Sequence, residues 1–398
     1  MAKKSLLFVS ARVPYPAKEG HQLRTLGLLE QLSAHYDVHL LSILRPGETV
    51  EHAYLKQLCK TVQGVSIDLN LVGNIIAGLR SVMFNKPLVV TRYVTSDLVS
   101  AFCDALDEFE PERVHLDLLP LMELAKQVKP GVKVVLNQHN VESVLIGQKI
   151  DTLSGTLSRI IYKREHRLLD RFERRSCQRA DVVLACSDLD RDVLSKMGAD
   201  SAHTIPNGVD TRKFEPNSED VDPNKLVFLG GMGWYPNRLG MQWFVDEVLP
   251  LIVKQNTSIH VDVIGNPEPR ISIPETLAAY ITLHGFVDDF RPLVAKAGMM
   301  IVPLNVGSGT RLKVVEGAAL GKCMVSTSKG AEGVNLDPAR DIILADSAKD
   351  FAEQILSLIV DEDRIVNIGR SAREVAETKY DWRVIGEKLF DIYEGGYV

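Results

Sequence analysis

Short apolar segments alternate with helical patterns along the whole chain. The segments that read as strands in the first half are SLLFVS, DVHLLSI, VSIDL, RVHL, VKVVLN, DVVLAC and HTIP. Those in the second half are KLVFLG, HVDVIG, ITLHG, MMIVPL, CMVST and DIILA. This alternation predicts an α/β fold in which helices cover both faces of parallel sheets. Thirteen strands are too many for one open sheet of usual size, so the pattern predicts two doubly wound sheets.

One polar segment interrupts the pattern near the middle of the chain. Residues 215–225, EPNSEDVDPNK, replace apolar residues with Pro, Asn, Ser and acids, which predicts a linker. We therefore expect a Rossmann-like domain over residues 1–214 and a second over 225–375, facing each other across a cleft. A length of 398 residues is consistent with two domains. The helix predicted within 376–398 could pack back on the N-terminal domain or stay with the C-terminal one.

Composition narrows the class of protein. The chain is 45% hydrophobic and 25% charged, which is typical of a globular protein in water. No run of about 18 apolar residues occurs, so no membrane-spanning helix is expected. Arg12 interrupts the first apolar stretch, which favours a buried strand over a signal peptide. The five cysteines are scattered without a CxxC pair, which indicates a reducing cytoplasm and argues against disulfides or a zinc site.

Charge is distributed unevenly. Residues 1–213 hold 28 Lys and Arg against 25 Asp and Glu, a balance of +3, whereas residues 214–398 hold 18 against 27, a balance of −9. Residues 157–180 carry eight Arg or Lys and three acids, which indicates either a solvated helix or a face for an anionic membrane surface. Residues 74–93 are apolar and basic, and we interpret them as an ordinary buried helix or a membrane-contacting one. No aromatic residues are interleaved with the basic ones as stacking platforms, and no basic recognition motif appears, so nucleic acid is not expected as a partner.

The segment NVGSGTRLKVVEGAALG predicts an anion site at the carboxyl end of a strand. Glycines let backbone amides approach a ligand, and the start of the next helix supplies partial positive charge. Arg311 and Lys313 in the first helical turn favour a diphosphate. The turn residues expected to offer amides or hydroxyls are Gly307, Ser308, Gly309 and Thr310. In the alternative interpretation the two cations point to water and Lys313 pairs with Glu316.

A nicotinamide cofactor is not expected. The segment GGMGWYPNRLG places Pro236 where the dinucleotide fingerprint needs its third glycine, and no acid follows the next strand. Within this segment Asn237 could contact a donor substrate or cap a helix. We therefore expect a domain of dinucleotide-binding shape without hydride chemistry.

Several motifs together resemble the retaining GT-B glycosyltransferases of family 4, in a subgroup that builds polysaccharides. The resemblance covers almost the whole chain and rests on four segments. These are the opening strand, Gly-containing loop and first helix VSARVPYPAKEGHQLRTLGLLEQLSAHYDVHLLS, then LNQHNVES, the run-in to the linker RADVVLACSDLDRDVLSKMGADSAHTIPNGVDTRKFEP, and GTRLKVVEGAALGKCMVSTSKGAEGV. It implies transfer of a sugar from a UDP- or GDP-linked donor to a glycan or lipid-linked acceptor in the cytoplasm. The resemblance implies no cofactor and no metal.

The resemblance also assigns roles to residues. It implies that the amide of Gly20 approaches the donor phosphates, that His139 contacts the transferred sugar or positions the acceptor, and that Glu316 accepts hydrogen bonds from ribose hydroxyls. A plain turn glycine, a structural histidine and a structural ion pair are the alternatives. Ser308 departs from the family, which commonly has a glutamate there. That departure leaves open a pseudoenzyme that binds nucleotide sugar and regulates a partner. A different enzyme on the same fold, such as a sugar-nucleotide epimerase or a phosphorylase, is a separate alternative.

Overall fold

The computed structural model describes residues 3–67, 70–151, 153, 155–217, 221–307 and 311–395. The chain forms two compact units, Met1–Pro206 with Gly386–Val398, and Asn207–Ile385. Each unit is built on one sheet covered by helices, so the prediction of an α/β protein with two Rossmann-like domains is confirmed.

The first unit contains a seven-stranded parallel sheet in the order β3-β2-β1-β4-β5-β6-β7. Its strands are β1 (Lys4–Ser10), β2 (Tyr36–Leu44), β3 (Thr61–Ser66), β4 (Arg113–Asp117), β5 (Lys133–Asn137), β6 (Val182–Ala185) and β7 (Ala202–Thr204). Its helices are α1 (Gly20–His35), α2 (Ala53–Leu58), α3 (Leu71–Met83), α4 (Leu88–Tyr93), α5 (Ser96–Phe109), α6 (Glu142–Asp151), α7 (Thr156–Arg179) and α8 (Asp188–Lys196), with a 3₁₀ segment at Leu119–Gln127.

The central strands of this sheet are buried on both faces. In β1 the residues from Leu6 to Ser10 are all buried, as expected for a strand between two layers of helices. The edge strand β3 is only partly buried, and its pairing with β2 joins His39 to Thr61. The predicted strand VSIDL therefore lay too far along the chain, because a weakly apolar edge strand leaves little signal of its bounds.

The second unit contains a six-stranded parallel sheet in the order β10-β9-β8-β11-β12-β13. Its strands are β8 (Asp222–Leu229), β9 (His260–Ile264), β10 (Ile281–Gly285), β11 (Ala297–Val302), β12 (Cys323–Ser326) and β13 (Ile343–Leu344). Its helices are α9 (Tyr235–Trp243), α10 (Leu249–Val253), α11 (Arg291–Lys296), α12 (Leu312–Ala319), α13 (Ala348–Ile359) and α14 (Glu362–Val375). A 3₁₀ segment forms at Glu275–Tyr280, and π-helical turns form at Phe244–Val248 and Ala376–Tyr380.

One helix belongs to both units. Helix α15 (Trp382–Tyr393) begins in the second unit, and its residues from Gly386 onward belong to the first. There Leu389 and Tyr393 are buried, and the Phe390 ring stacks on His35 with centroids 4.1 Å apart. The core of the first unit therefore includes side chains that follow the entire second unit in sequence.

Residues 74–93 were interpreted as either an ordinary buried helix or a membrane-contacting one, and helix α3 in this segment is not an ordinary buried helix. Within α3 the buried residues are Ala77 and Ser81, while Leu79 and Met83 are 64% and 74% exposed. That interpretation was wrong because the helix turns its apolar stripe outward. In the part of the chain that the structure describes, no helix combines the length and apolar character needed to cross a membrane.

Candidate active site

The N-terminal cluster lies where the strand order of the first sheet reverses, at the carboxyl ends of β1, β4 and β5. We define it as Thr25, Asp117, Asn137 and His139. Asp117 ends β4 and pairs in register with Asn137, which ends β5. Ligands of doubly wound sheets bind at such a reversal. The position of His139 after β5 is the one that the sequence predicted.

Asp117 is the centre of this cluster. Its Oδ1 accepts hydrogen bonds from His139 Nε2 at 2.9 Å and from Asn137 Nδ2 at 2.6 Å. Its Oδ2 accepts one from Thr25 Oγ1 at 2.6 Å. Burial by itself would raise the pKa of Asp117, but the neighbouring His139 and the hydrogen bonds outweigh it and hold the pKa well below its usual range. The carboxylate therefore stays ionised while buried.

This carboxylate fixes which nitrogen of His139 is available. Because a carboxylate only accepts, Nε2 of His139 must carry the proton, and Nδ1 is the nitrogen offered to a ligand. Burial, and then the neighbouring His139, lower the pKa of His21 to about 4, so His21 is neutral near pH 7. The cluster therefore presents an imidazole whose orientation is fixed by Asp117.

Further buried residues support the cluster from behind. Arg24 donates to Asn137 Oδ1 at 2.7 Å through Nη2 and to the Ile205 carbonyl at 2.7 Å through Nη1. His115 Nδ1 lies 2.5 Å from Tyr393 Oη, and its Nε2 lies 3.9 Å from Asp117 Oδ1. Sequence reasoning missed all of these residues. The available signal for this site was that a polar residue ends each of two buried strands, Asp117 in β4 and Asn137 in β5.

Gly20 is the first residue of α1, so it stands at a helix start after the loop that follows β1. Its amide belongs to the first turn, where backbone donors have no partner within the helix. Apart from the adjoining residues and the backbone of α1, no atom of the described residues lies within 4 Å of the position that a Cβ would take at Gly20. The role that the resemblance implies for its amide stays a prediction.

The C-terminal cluster lies at the corresponding place in the second unit, where β8 and β11 are neighbours and the strand order reverses. We define it as Gly230, Asn237, Arg311, Lys313 and Glu316. Gly230 directly follows β8, Asn237 lies in α9, and the remaining three lie at the N-cap and in the first two turns of α12.

Lys313 is held by Asn237 and by an aromatic ring. Its Nζ donates to Asn237 Oδ1 at 2.8 Å and lies 4.1 Å from the centroid of the Phe228 ring. Asn237 Nδ2 in turn donates to the Gly231 carbonyl at 2.9 Å. The alternative in which Lys313 points to water was therefore wrong. Asn237 is not a helix cap either, because α9 begins after Trp234.

Two groups of this cluster have strongly shifted pKa values. Burial, and then Arg311, lower the pKa of Lys313 to about 7, although Glu316 opposes the shift. Burial raises the pKa of Glu316 to about 7 against the influence of Lys313. Both groups therefore change charge near neutral pH, and an anionic ligand would favour the charged form of Lys313.

The glycine-rich turn before α12 approaches the Arg311 side chain. Gly307 has a φ of +118°, and a Cβ there would lie 2.9 Å from Arg311 Nη1. Arg311 is the N-cap of α12 and is 7% exposed. The predicted contributions of Ser308, Gly309 and Thr310 fall outside the described residues. A guanidinium, an ammonium and a helix start thus converge after β11, an arrangement suited to a phosphate or diphosphate.

Two family models match successive parts of the chain. The model described as Glycosyltransferase Family 4 matches residues 19–213, and the model described as Glycosyl transferases group 1 matches residues 223–361. An uncharacterized 44.6 kDa protein in the cps region of Klebsiella pneumoniae is 23% identical and covers 98% of this chain and 99% of its own.

Solved structures share the fold over the whole chain. The sucrose-phosphate synthase of Thermosynechococcus elongatus superposes with a TM-score of 0.72 at 14% identity, covering 99% of both chains. Anabaena HepE in complex with UDP-glucose gives 0.67 at 12% identity, covering 98% of this chain and 99% of its own. The lipopolysaccharide outer core galactosyltransferase WaaB gives 0.64 at 13% identity, with the same coverage as HepE. At these identities the likeness establishes the fold.

Proposed function

Because the chain belongs to the family 4 glycosyltransferases and has their GT-B fold, we propose that it transfers a sugar from a nucleotide diphosphate sugar to an acceptor hydroxyl, keeping the anomeric configuration. We propose a UDP- or GDP-linked donor and a glycan or lipid-linked acceptor. HepE, whose structure holds UDP-glucose, and WaaB, a lipopolysaccharide galactosyltransferase, support this choice by similarity.

The observation that carries the proposal is Lys313, placed on Asn237 beside Arg311 at the start of α12. When the bond between the sugar and the diphosphate breaks, negative charge develops on the leaving group. A partly buried cation that is already held in place stabilises such charge without reorganising. Asn237 serves as the neutral partner that keeps the ammonium in position before the donor binds.

His139 acts on the sugar or the acceptor in this proposal. Its Nδ1 accepts a hydrogen bond from a hydroxyl of the transferred sugar or of the acceptor, while Asp117 holds Nε2. The proton released by the acceptor passes to the donor phosphate on the same face of the sugar, as implied by the resemblance to retaining enzymes. No metal is assigned to the reaction, and the described residues contain no group of three side chains able to hold one.

Glu316 is proposed to accept the ribose hydroxyls of the nucleotide. Glu316→Gln should then weaken nucleotide diphosphate binding by about 1–3 kcal/mol, because an amide accepts such bonds less strongly than a carboxylate. Calorimetry with the nucleoside diphosphate and with inorganic pyrophosphate distinguishes contacts to the nucleoside from contacts to the diphosphate. An equal loss for pyrophosphate, which has no ribose, would contradict the assignment.

A nucleotide-release assay tests the function as a whole. Purified protein is incubated with UDP- and GDP-sugars, with and without glycan acceptors, in excess EDTA, and the anomeric configuration of any product is read by NMR. A transferase releases nucleotide faster with acceptor, whereas an epimerase changes the sugar without an acceptor. Binding without release identifies a pseudoenzyme, and activity that returns only with Mg²⁺ or Mn²⁺ would overturn the metal-independent mechanism.

The proposed location is the cytoplasm, with peripheral contact at the inner face of the cell membrane. A surface polysaccharide or glycolipid product, as for WaaB, would place the acceptor there. The net charge of +3 over residues 1–213 supports attraction of this part to an anionic surface. The net charge of −9 over residues 214–398 opposes such attraction for the rest of the chain.

A further inference from the structure

Helix α3 exposes more apolar surface than a helix of this size usually does. Seven large apolar side chains of α3, and an eighth directly after it, are 49% to 75% exposed. They are Leu71, Val72, Ile75, Ile76, Leu79, Val82, Met83 and Phe84. The helix is nevertheless well anchored, since Thr91 Oγ1 of α4 donates to the Ala77 carbonyl at 2.9 Å. Contiguous exposed apolar patches of this kind mark interaction sites.

The start of α7 extends this patch. Arg164 donates to the Ser81 carbonyl at 3.0 Å through Nη2 and to Ser81 Oγ at 3.3 Å through Nη1, which joins α7 to α3. One turn before Arg164 and on the same side, Ile160 is 61% exposed, and its neighbours Leu157 and Ile161 are 70% and 57% exposed. We call the eight apolar residues of the α3 region together with residues 157–171 of α7 the α3–α7 surface.

Cations flank the apolar patch. Arg159, Lys163, Arg167 and Arg171 are exposed and recur at every fourth residue of α7, so they form one stripe along the helix. The acids of α7 are already engaged: Glu165 accepts from the Leu88 amide, Asp170 pairs with Arg174, and Glu173 is buried. Arg80 is a further exposed cation on α3. The α3–α7 surface is thus apolar with a basic border.

This combination fits an anionic lipid surface better than a second copy of the chain. Amphipathic helices that lie in a membrane interface combine apolar side chains with Lys and Arg, and anionic headgroups attract the cations. A symmetric contact between two copies would instead bring like charges together, because the same patch faces itself. The charge of the surface therefore selects phosphate-bearing lipid as the occupant.

We infer that the α3–α7 surface binds the interface of an anionic bilayer, with the apolar side chains of α3 entering the boundary between headgroups and acyl chains and the cations of α7 at the level of the phosphates. The inference deepens the proposed function, because it names the surface through which a lipid-linked acceptor would be approached. It requires no transferase activity, however, and its test does not measure any.

Cosedimentation of the full chain with vesicles tests the inference. Vesicles of phosphatidylcholine alone are compared with vesicles containing about one third phosphatidylglycerol, at about 50 mM and about 500 mM NaCl. We expect binding to the anionic vesicles at low salt, at least about tenfold weaker binding to neutral vesicles, and a similar weakening at high salt. The double variant Ile75→Glu/Leu79→Glu should lose at least about tenfold in binding.

Matched variants control for unspecific effects. Val360 in the second unit is 85% exposed, so Val360→Glu should leave vesicle binding unchanged. Arg167→Gln/Arg171→Gln should reduce binding severalfold, whereas Lys254→Gln, an exposed cation of the second unit, should not. Thermal unfolding of each variant shows whether it is folded, and because the changes are at exposed positions we expect melting temperatures close to that of the unchanged chain.

Several outcomes would overturn the inference. These are no pelleting with anionic vesicles at low salt, equal binding to neutral vesicles, or equal loss in the Val360→Glu control. A dimer in light scattering that Ile75→Glu/Leu79→Glu converts to a monomer, without vesicle binding, would assign the surface to self-association. Vesicle binding by a chain that releases no nucleotide from any donor would leave the inference standing and reject only the proposed transferase.

Discussion

The most consequential single residue in the first unit is Asp117, a buried carboxylate that stays ionised. It is stabilised by His139, Asn137 and Thr25, each within 2.9 Å, and it determines which imidazole nitrogen faces a ligand. A positioning residue of this type touches no substrate itself, and its effect appears through the group that it orients.

Asp117→Asn should reduce kcat about 100-fold while leaving the protein folded, because an amide can donate to His139 Nε2 and so favours the opposite tautomer. The nitrogen chemical shifts of His139 should show the proton moving from Nε2 to Nδ1. Asp181 pairs with Lys133 at the surface, so Asp181→Asn is the matched control and should keep its activity. Unchanged tautomer and kcat in Asp117→Asn would contradict the role.

Lys313 gives the second prediction at this scale. Because burial lowers its pKa to about 7, its charge is lost as the pH rises above 7 in the free protein, and a bound diphosphate should restore it. At pH about 8, nucleotide diphosphate binding should therefore take up close to one more proton in the unchanged chain than in Lys313→Met. Calorimetry in buffers of different ionisation enthalpy measures the proton uptake of each protein. Protons taken up by the ligand itself are common to both proteins, so they cancel in the difference. Equal proton uptake in both proteins would show that Lys313 is not at the phosphates.

At the scale of elements, the two sheets place their functional loops through the same topology. In each unit the strand order reverses beside the first strand of the sheet, and the site residues lie at the carboxyl ends of strands near that point or in the segments that follow those strands. The close approach of these loops restricts their residues. Gly230 has a φ of +145°, and a Cβ there would lie 2.5 Å from Asn237 Nδ2 and 2.8 Å from Lys313 Nζ.

Gly230→Ala should destabilise the second unit by about 1–3 kcal/mol and weaken nucleotide binding, because it combines backbone strain with displacement of Lys313. Gly78 is the matched control, since it lies within α3 and, apart from the backbone of that helix, no atom in the described part of the chain is within 4 Å of its Cβ position. Gly78→Ala should be neutral or stabilise by about 0.5–1 kcal/mol. Urea unfolding compares the two, and an equal effect at both positions would rule out the steric explanation.

The sequence allowed the sheets and the loop of Lys313 to be predicted, because strand periodicity and a glycine-rich turn are local signals. The exposure of α3 was not predictable in this way, since an apolar stripe reads identically whether it faces a core or a membrane. Asp117 and its partners Thr25 and Asn137 were missed for a different reason. Thr25 comes from α1 and Asn137 from β5, and only the register of β4 on β5 brings Asp117 and Asn137 together.

At the scale of the whole molecule, the N-terminal cluster depends on residues from the far end of the sequence. Tyr393 Oη is bonded to His115, whose other nitrogen faces Asp117, and Glu394 accepts from Tyr36 Oη at 2.6 Å and pairs with Lys4 at 2.6 Å. These contacts make α15 part of the core of the first unit.

Tyr393→Phe should therefore lower the free energy of unfolding of the first unit by about 1–3 kcal/mol, because it leaves the buried His115 Nδ1 without its partner. Tyr54 bonds Glu30 at 2.5 Å in a more exposed place, and Tyr54→Phe should change stability by no more than about 1 kcal/mol. Denaturant unfolding, followed by a signal from the first unit, measures the free energy of unfolding of both variants. A Tyr393→Phe protein as stable as the control would show that the hydroxyl contributes nothing.

The sharing of α15 also dictates when the first unit can be finished on the ribosome. Residues up to Pro206 are synthesised first, yet Leu389 and Tyr393 of their core are added only after Asn207–Ile385. At ~5–20 residues per second, that delay lasts about 10–40 s. During it the nascent first unit leaves open the place that α15 will fill, so a ribosome stalled within the second unit presents a protease or chaperone with an incomplete core.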